Sequence, residues 1–366
     1  MVNFRRYEPG DESQIIELLN LVFNGWPHID FPCESIDYWR WKYLGREEAP
    51  LVIWIAEDKD QIIGCLHALP IEFKGIEGHH KYAAGMDYAV HPNYRGKGIG
   101  SQLSEHINPY LTSLGYLFTL SITGNPKLIK SMSKDHYPLP GKVLNYVWID
   151  DVEKQLQEYP MDNPLIVKNT YKILQTISKI GTEKPYSNDL FVKSATRFGD
   201  ENNDFWETIE KEYCFAIRRS SDYLNWKYCD PRVEGFQIGK VFEDGNLVGY
   251  IVFKANRVNP EYPVGYIVEL VALSNRPDIV SALVGYAMDW FTSNDVNIVN
   301  FQEMEKTPYF AVMKRYGFVN SRIKLNILLK LFIGFDELQK IIGTDLEHMM
   351  ITWGDQDVLP VKLPSY

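Results

Sequence analysis

The sequence predicts an α/β (α+β) fold with two domains that repeat the same order of elements. Its 366 residues exceed what a single typical core holds. Short β-prone runs alternate with segments of helical spacing. One seven-residue pattern occurs in each half of the chain. These observations indicate two domains, each with its own sheet and helices.

The first half contains strand and helix patterns in a clear order. Asn3–Tyr7 predicts a strand, and a helix with an apolar face follows it. Two runs, Leu51–Glu57 and Ile62–Leu69, flank a short polar turn and predict a β-hairpin. Lys81–Val90 and Leu117–Thr123 predict two further strands, and a helix is expected after the second of them.

A repeated segment relates the two halves. Asp37–Tyr43 reads DYWRWKY and Asp222–Tyr228 reads DYLNWKY, an offset of 185 residues. The hairpin residues Glu57 and Glu243 are 186 residues apart. Because such similar offsets are improbable by chance, we interpret the chain as a tandem duplication. The tryptophan that both copies share is expected to pack in the core.

Domain boundaries follow from this repeat. The expected parts are an N-terminal domain (1–150), a helical connector (151–190), a C-terminal domain (191–335), and a terminal helix and tail (336–366). The connector is expected to hold two helices with breaks near Tyr159-Pro160 and Gly181-Thr182.

Composition and charge restrict the class of function. A net charge of −10 without a long basic run argues against nucleic acid as the main partner. The four cysteines form no C-x-x-C pair and no His/Cys cluster, so we expect neither disulfides nor a metal site. No signal-peptide pattern and no membrane-spanning run is present, so we expect a cytoplasmic protein without membrane contact. The oligomeric state stays open.

The segment Met86–Leu103 carries the functional prediction. It combines a β-prone run, a turn with glycines at positions 96, 98 and 100, and the start of a helix. Glycines allow close backbone approach, and a helix N-terminus favours phosphate. Arg95 and Lys97 add positive charge. The spacing fits neither the Walker loop, since Gly98 follows Lys97, nor the dinucleotide fingerprint.

The pattern that does match is V-x-P-x-x-R-G-x-G-I-G, from Val90 to Gly100. It closely resembles motif A of the GCN5-related N-acetyltransferases, the GNAT superfamily. The resemblance implies GNAT-like domains with a mixed, mostly antiparallel sheet flanked by helices, and acyl-coenzyme A as co-substrate. It also implies that the loop binds the pyrophosphate and that the preceding strand pairs with the pantetheine amides. The implied binding residues are Tyr88, Ala89, Val90, Arg95, Gly96, Lys97, Gly98, Ile99, Gly100, Ser101 and Asn125.

The same resemblance implies direct attack of an amine on the thioester, helped by a base and a leaving-group acid. Asp87 is the leading candidate for the base, because alanines occupy the earlier strand positions. His67, His79 and His80 are rivals, since the unperturbed pKa of histidine lies near 6.5. Water could also take the proton. The usual tyrosine acid is absent at its spacing, which leaves Tyr137 as the nearby candidate.

The second copy of the loop differs from the first. Val271–Ile279 contains no glycine and carries Asp278, which would repel phosphate. We therefore expect coenzyme binding in the first domain only. The second domain is expected to serve as a scaffold and as one wall of the acceptor cleft.

Tandem GNAT-like domains at this length resemble bacterial sugar N-acyltransferases. That resemblance implies transfer of an acetyl or 3-hydroxybutanoyl-like group to a nucleotide-linked amino sugar, such as a dTDP-linked one, in polysaccharide biosynthesis. Two alternatives stay open. The acceptor could be another primary amine (an aminoglycoside, a polyamine or a protein N-terminus), which suits the negative charge better. The chain could also be a coenzyme A-binding module without catalysis.

Overall fold

The computed structural model of the protein describes residues 2–46, 49–159, 168–169, 171–173, 190–305, 307–343 and 348–356. The chain divides into two compact units. Unit 1 comprises Met1–Pro140, Pro231–Val233 and Asn326–Thr344, and unit 2 comprises Gly141–Asp230, Glu234–Leu325 and Asp345–Tyr366. The segment 326–335, which the sequence had assigned to the second domain, thus belongs to unit 1.

Strands and helices alternate along the described chain. The strands are β1 (Asn3–Arg6), β2 (Val52–Asp58), β3 (Gln61–Lys74), β4 (His79–Val90), β5 (Phe118–Thr123), β6 (Tyr137–Ile149), β7 (Val192–Ala195), β8 (Phe215–Ile217), β9 (Gln237–Glu243), β10 (Asn246–Asn256), β11 (Val264–Ala272), β12 (Ile298–Met304), β13 (Val319–Leu331) and β14 (Met349–Met350). The α-helices are α1 (Glu12–Phe23), α2 (Ser35–Leu44), α3 (Ile99–Ser113), α4 (Pro126–Met132), α5 (Val152–Glu158), α6 (Asp200–Ile209), α7 (Ser221–Tyr228), α8 (Pro277–Ser293), α9 (Phe310–Arg315) and α10 (Phe335–Ile342).

The sheet of unit 1 has the predicted mixed, mostly antiparallel character. Its strands lie in the order β1-β2-β3-β4-β5, and all neighbours are antiparallel except β4 and β5. Residues 326–331 of β13 add an antiparallel neighbour to β5. The sequence predicted the first five strands and the β2–β3 hairpin. It did not predict the late strand, because pairing between segments so distant in the chain leaves no local pattern.

The packing of α3 against the sheet fixes the position of the glycine loop. Ile99 and Leu103 of α3 form a buried cluster with Ala56 and Ile63 of the hairpin. A Cβ atom at Gly64 would lie 3.2 Å from the side chains of both Ile99 and Leu103. Glycine at this position therefore lets the helix approach β3 closely.

Unit 2 repeats this order of elements. Strands β7, β9, β10, β11 and β12 are neighbours in that order, and only β11 and β12 are parallel. Helix α8 follows β11 in unit 2 as α3 follows β4 in unit 1. Its residues Leu283 and Phe291 are buried in the core. The repeated segment forms most of α2 and α7. Its shared tryptophan is buried in unit 1 as Trp41, whereas Trp226 is only half-buried.

Part of the predicted connector falls on residues outside the described ranges. Its first helix is α5, which Asp151 caps by accepting hydrogen bonds from two backbone N–H groups. The breaks expected near Pro160 and Gly181-Thr182 and the tail 359–366 lie outside the described residues. No helix in the described ranges is long and apolar enough to cross a membrane. No His, Cys, Asp and Glu side chains of the described part are grouped to hold a metal ion.

Candidate active site

The glycine loop connects the end of β4 to the N-terminus of α3. Gly96 and Gly98 have φ angles of +75° and +79°, a region that favours glycine. Gly98 is the N-cap of α3, and no side chain caps this helix. The first N–H groups of a helix have no acceptor within it, so this N-terminus offers several donors to an anion.

Two cationic side chains flank the loop. Arg95 is exposed, and its Nε lies 3.3 Å from the carbonyl oxygen of Val90. The Nζ of Lys97 lies 4.7 Å from the ring centre of Tyr94. Cations beside uncapped N–H groups form a cradle that suits phosphate.

Tyr88 lies across the first turn of α3. Its side chain is 44% exposed, and a Cβ atom at Gly100 would clash with its hydroxyl. Burial raises the pKa of Tyr88, so the phenol is neutral. The third glycine of the loop therefore makes room for this side chain, a reason that the sequence pattern did not supply.

The edge of β4 that faces β5 is open beside the loop. Within the described residues, β4 pairs with β5 only at Ala83 and Ala84, although β4 continues to Val90. The N–H of His91 donates to the carbonyl oxygen of Ile63 in β3, so strand alternation directs the N–H and the carbonyl of Val90 away from β3. The carbonyl lies 3.3 Å from Arg95 Nε, and the N–H faces the open edge. An unpaired strand edge of this kind can bind an extended chain that contains amides.

The open edge contains a β-bulge. Cys65 pairs with Ala89 and His67 with Met86, so β4 has one more residue than β3 in this interval. Asp87 lies in the bulge with a φ angle of +42°. Bulges redirect backbone and side chains next to active sites.

In unit 2 the corresponding edge is occupied by a side chain. Ala272 of β11 pairs with Gly249, as Val90 pairs with Gly64 in unit 1. The N–H of Ala272 donates to the hydroxyl of Tyr309 at 3.1 Å, and that hydroxyl donates to the carbonyl oxygen of Ala272. Tyr309 thus satisfies both backbone groups of Ala272, whereas in unit 1 the N–H of Val90 is directed to the open edge.

In unit 2 the segment that corresponds to the glycine loop, Val271–Ile279, contains ion pairs. Arg276 lies 2.7 Å from Asp278 and 2.5 Å from Glu243. Arg276 thus pairs with two carboxylates, and these three side chains together keep a net negative charge. That unit 2 does not bind coenzyme remains a prediction, which these contacts support.

The structure places Asp87 in a buried hydrogen-bond network. Its carboxylate accepts hydrogen bonds from Nε1 of Trp26 (2.8 Å), Nζ of Lys42 (2.7 Å) and the hydroxyl of Tyr43 (2.5 Å). Burial by itself raises the pKa of Asp87, but the Lys42 ammonium and the hydrogen bonds lower it overall. Asp87 is therefore an ionised and weakly basic carboxylate. Its role as the base remains a prediction.

His67 contacts the same bulge from β3. Its Nε2 accepts a hydrogen bond from Nε1 of Trp39 at 3.0 Å, so its proton is on Nδ1, which donates to the carbonyl oxygen of Asp87 at 3.2 Å. Burial is the main reason that the pKa of His67 falls to about 4. Both nitrogens of this neutral imidazole are thus engaged, and its role as a base also remains a prediction.

The depressed pKa of His67 predicts a loss of stability in acid. In the unfolded chain histidine binds a proton below about pH 6.5, whereas folded His67 stays neutral down to about pH 4. The free energy of unfolding should therefore fall by up to about 3 kcal/mol over this window because of His67. Urea unfolding at several pH values should show a smaller fall for His67→Gln. The exposed-site variant His106→Gln is the control and should keep the wild-type dependence.

The other predicted site residues make contacts outside the hydrogen-bond network of Asp87. The side chain of Asn125 caps α4 by accepting hydrogen bonds from two backbone N–H groups. Tyr137 begins β6, and its ring packs 4.1 Å from that of Phe335. His79 and His80 begin β4, and His80 lies 2.9 Å from the carbonyl oxygen of Glu77.

Sequence reasoning missed Trp26, Lys42 and Tyr43 as partners of Asp87. The available signal was the repeated Lys-Tyr pair, which recurs as Lys227-Tyr228. In unit 2 the hydroxyl of Tyr228 donates to Glu269 at 2.8 Å, as Tyr43 donates to Asp87. The repeated segment therefore holds a strand carboxylate in each unit, beyond the packing role that the sequence suggested.

The mixed sheet of unit 1 and its glycine loop agree with the fold that the resemblance to the GNAT superfamily implies. A family model described as Acetyltransferase (GNAT) family matches residues 14–130. The match lies within unit 1, which is therefore similar in sequence to GNAT acetyltransferases. No curated protein sequence matches it.

Solved structures share the fold over most of the chain at low sequence identity. A GCN5-related N-acetyltransferase from Anabaena variabilis has a TM-score of 0.62 at 11% identity, covering 90% of this chain and 72% of that chain. A probable N-acyltransferase from Enterococcus faecalis has a TM-score of 0.59 at 12% identity, covering 90% and 73%. Saccharomyces cerevisiae N-myristoyltransferase, with bound myristoyl-CoA and inhibitors, has a TM-score of 0.60 at 11% identity, covering 99% and 87%.

Proposed function

We propose that unit 1 binds acyl-coenzyme A and transfers the acyl group to an amine. The observation that carries the proposal is the open edge of β4, which leads directly into the uncapped N-terminus of α3. The pantetheine amides can bond such an edge as an added strand does. The phosphates of the same ligand suit the glycine cradle that follows.

In the proposed reaction the amine nitrogen attacks the thioester carbonyl carbon. A tetrahedral intermediate forms, coenzyme A leaves as the thiolate, and the amine loses a proton. Backbone N–H groups at the bulge of β4 would stabilise the oxyanion, because donors held in place beforehand need no reorganisation. Asp87, His67 and Tyr137 remain the predicted proton-transfer groups.

For the acceptor we propose a nucleotide-linked amino sugar, with acetyl or 3-hydroxybutanoyl as the acyl group. Support comes from the two units of like element order, the arrangement on which the resemblance to sugar N-acyltransferases rests. Another primary amine is the second candidate, and the net charge of −10 favours a cationic one. The structural likeness to an N-myristoyltransferase over 99% of the chain adds a long-chain acyl donor to the test.

The proposal is tested by measuring thiol release with a panel of donors and acceptors. The donors are acetyl-CoA, 3-hydroxybutanoyl-CoA and myristoyl-CoA, and the acceptors are nucleotide-linked amino sugars, aminoglycosides, polyamines and peptides. Turnover with an amino sugar supports the proposed acceptor, whereas turnover only with another amine supports the second candidate. Tight coenzyme A binding without turnover of any pair would instead indicate a binding module.

A further inference from the structure

The bulge of β4 holds a residue in a sparsely populated backbone conformation. Asp87 is not glycine, yet its φ angle is +42°. A positive φ angle is uncommon for a non-glycine residue within a strand, and the contacts around Asp87 stabilise it. Those contacts therefore decide the direction of the neighbouring backbone N–H groups.

Contacts hold Asp87 at both its side chain and its backbone. Lys42 and Trp26 donate to opposite oxygens of the carboxylate. His67 donates to the carbonyl oxygen of the same residue. Lys42 and Asp87 are both nearly excluded from water, with 4% and 6% of their side chains exposed. A buried ion pair of this kind has little freedom to rearrange.

Aromatic rings further restrict the Lys42 ammonium. Its Nζ lies 5.2 Å from the ring centre of Tyr43, 5.8 Å from that of Trp26 and 5.9 Å from that of Tyr38. These rings attract a cation and exclude water from it. The ammonium is therefore held in place on the side chain of Asp87.

We propose that Lys42 and His67 are positioning residues for acyl transfer, which act through Asp87. They fix the bulge of β4, so that its backbone N–H groups stay directed at the thioester carbonyl. This inference rests on the proposed function of unit 1. It gives Asp87 a structural role instead of the proton transfer that the sequence predicts, and the amine proton then passes to water, the alternative that the sequence left open.

The second unit supports this assignment. Strand β11 also has a bulge, between the pairs Val252–Glu269 and Phe253–Ile267. Glu269 accepts from Tyr228 there, although the unit has no glycine loop. A carboxylate that recurs at a bulge without a coenzyme loop is explained by holding the strand and not by proton transfer.

The carbonyl stretch of bound acetyl-CoA measures this positioning directly. Acetyl-CoA carries an isotope label at its thioester carbonyl. The infrared band of that carbonyl is recorded for acetyl-CoA free in solution and for acetyl-CoA bound to the protein. A hydrogen bond weakens the C=O bond, so the band of the wild-type complex should lie at lower wavenumber. In Lys42→Met the shift should shrink by about half or more, while the Kd for coenzyme A, which lacks the carbonyl, should change by less than about twofold.

Two further variants keep the test decisive. Arg40→Met removes an exposed cation from the same helix and should preserve the band shift. His67→Phe removes the donor to the carbonyl oxygen of Asp87 and decides the question if Lys42→Met does not fold. A wild-type protein that binds neither coenzyme A nor acetyl-CoA would overturn the proposed function itself. A wild-type complex without a band shift, or a shift that persists in both folded variants, would overturn the positioning role alone.

Discussion

Gly98→Asp is expected to abolish coenzyme A binding and to leave the protein folded. Gly98 has a φ angle of +79° at the N-cap of α3, where no side chain caps the helix. A carboxylate about 5 Å from a phosphate charge costs about 3 kcal/mol at an effective dielectric constant of about 20, which is more than a hundredfold in Kd. Aspartate adopts positive φ angles more readily than most non-glycine residues, as Asp60 and Asp244 do in this chain, so α3 should persist.

The matched control for this variant is Gly78→Asp. Gly78 has a φ angle of +70° and open space around it, so the same substitution brings comparable backbone strain outside the loop. Calorimetry with coenzyme A should show wild-type affinity for the control and no measurable binding for Gly98→Asp. Equal affinities for the two variants would remove the loop from the binding site.

Arg219→Met is expected to lower the free energy of unfolding by about 3–5 kcal/mol. Arg219 is fully buried in unit 2, where its guanidinium contacts Glu269 at 2.9 Å and Asp355 at 3.0 Å. Burial opposes its charge, but the two carboxylates raise the pKa of Arg219 well above its ordinary value. The substitution leaves both carboxylates buried without this cation, which is the costly way to break such a network.

Chemical denaturation of Arg219→Met measures this loss, with Arg218→Met as its control. Arg218 is the adjacent residue and is exposed, so its removal should change the free energy of unfolding by less than about 1 kcal/mol. Combining Arg219→Met with Glu269→Gln should recover part of the loss, since one carboxylate is then neutral. A loss below about 1 kcal/mol for Arg219→Met would contradict the stated role of the network.

Much of the fold was predictable because it depends on local patterns. The β2–β3 hairpin needs only alternating strand residues around a short polar turn. β2 lies close to its predicted bounds, whereas β3 continues to Lys74, beyond the predicted end at Leu69. The glycine loop was likewise predictable, because positive φ angles such as those at Gly96 and Gly98 favour that residue type. The pairing of residues 326–331 with β5 was not predictable, since no local pattern records a partner so far away in the chain.

The candidate site, like the fold, was predictable only where it depends on local sequence. Local sequence was sufficient to identify the loop, the strand before it and Asp87 as the nearest carboxylate. Three-dimensional contacts were needed to show that Lys42 and Trp26 bind Asp87, and that the edge beyond Ala84 is open. A backbone conformation follows from neighbouring residue types, whereas burial, pKa and strand pairing depend on distant segments that meet only in the folded chain.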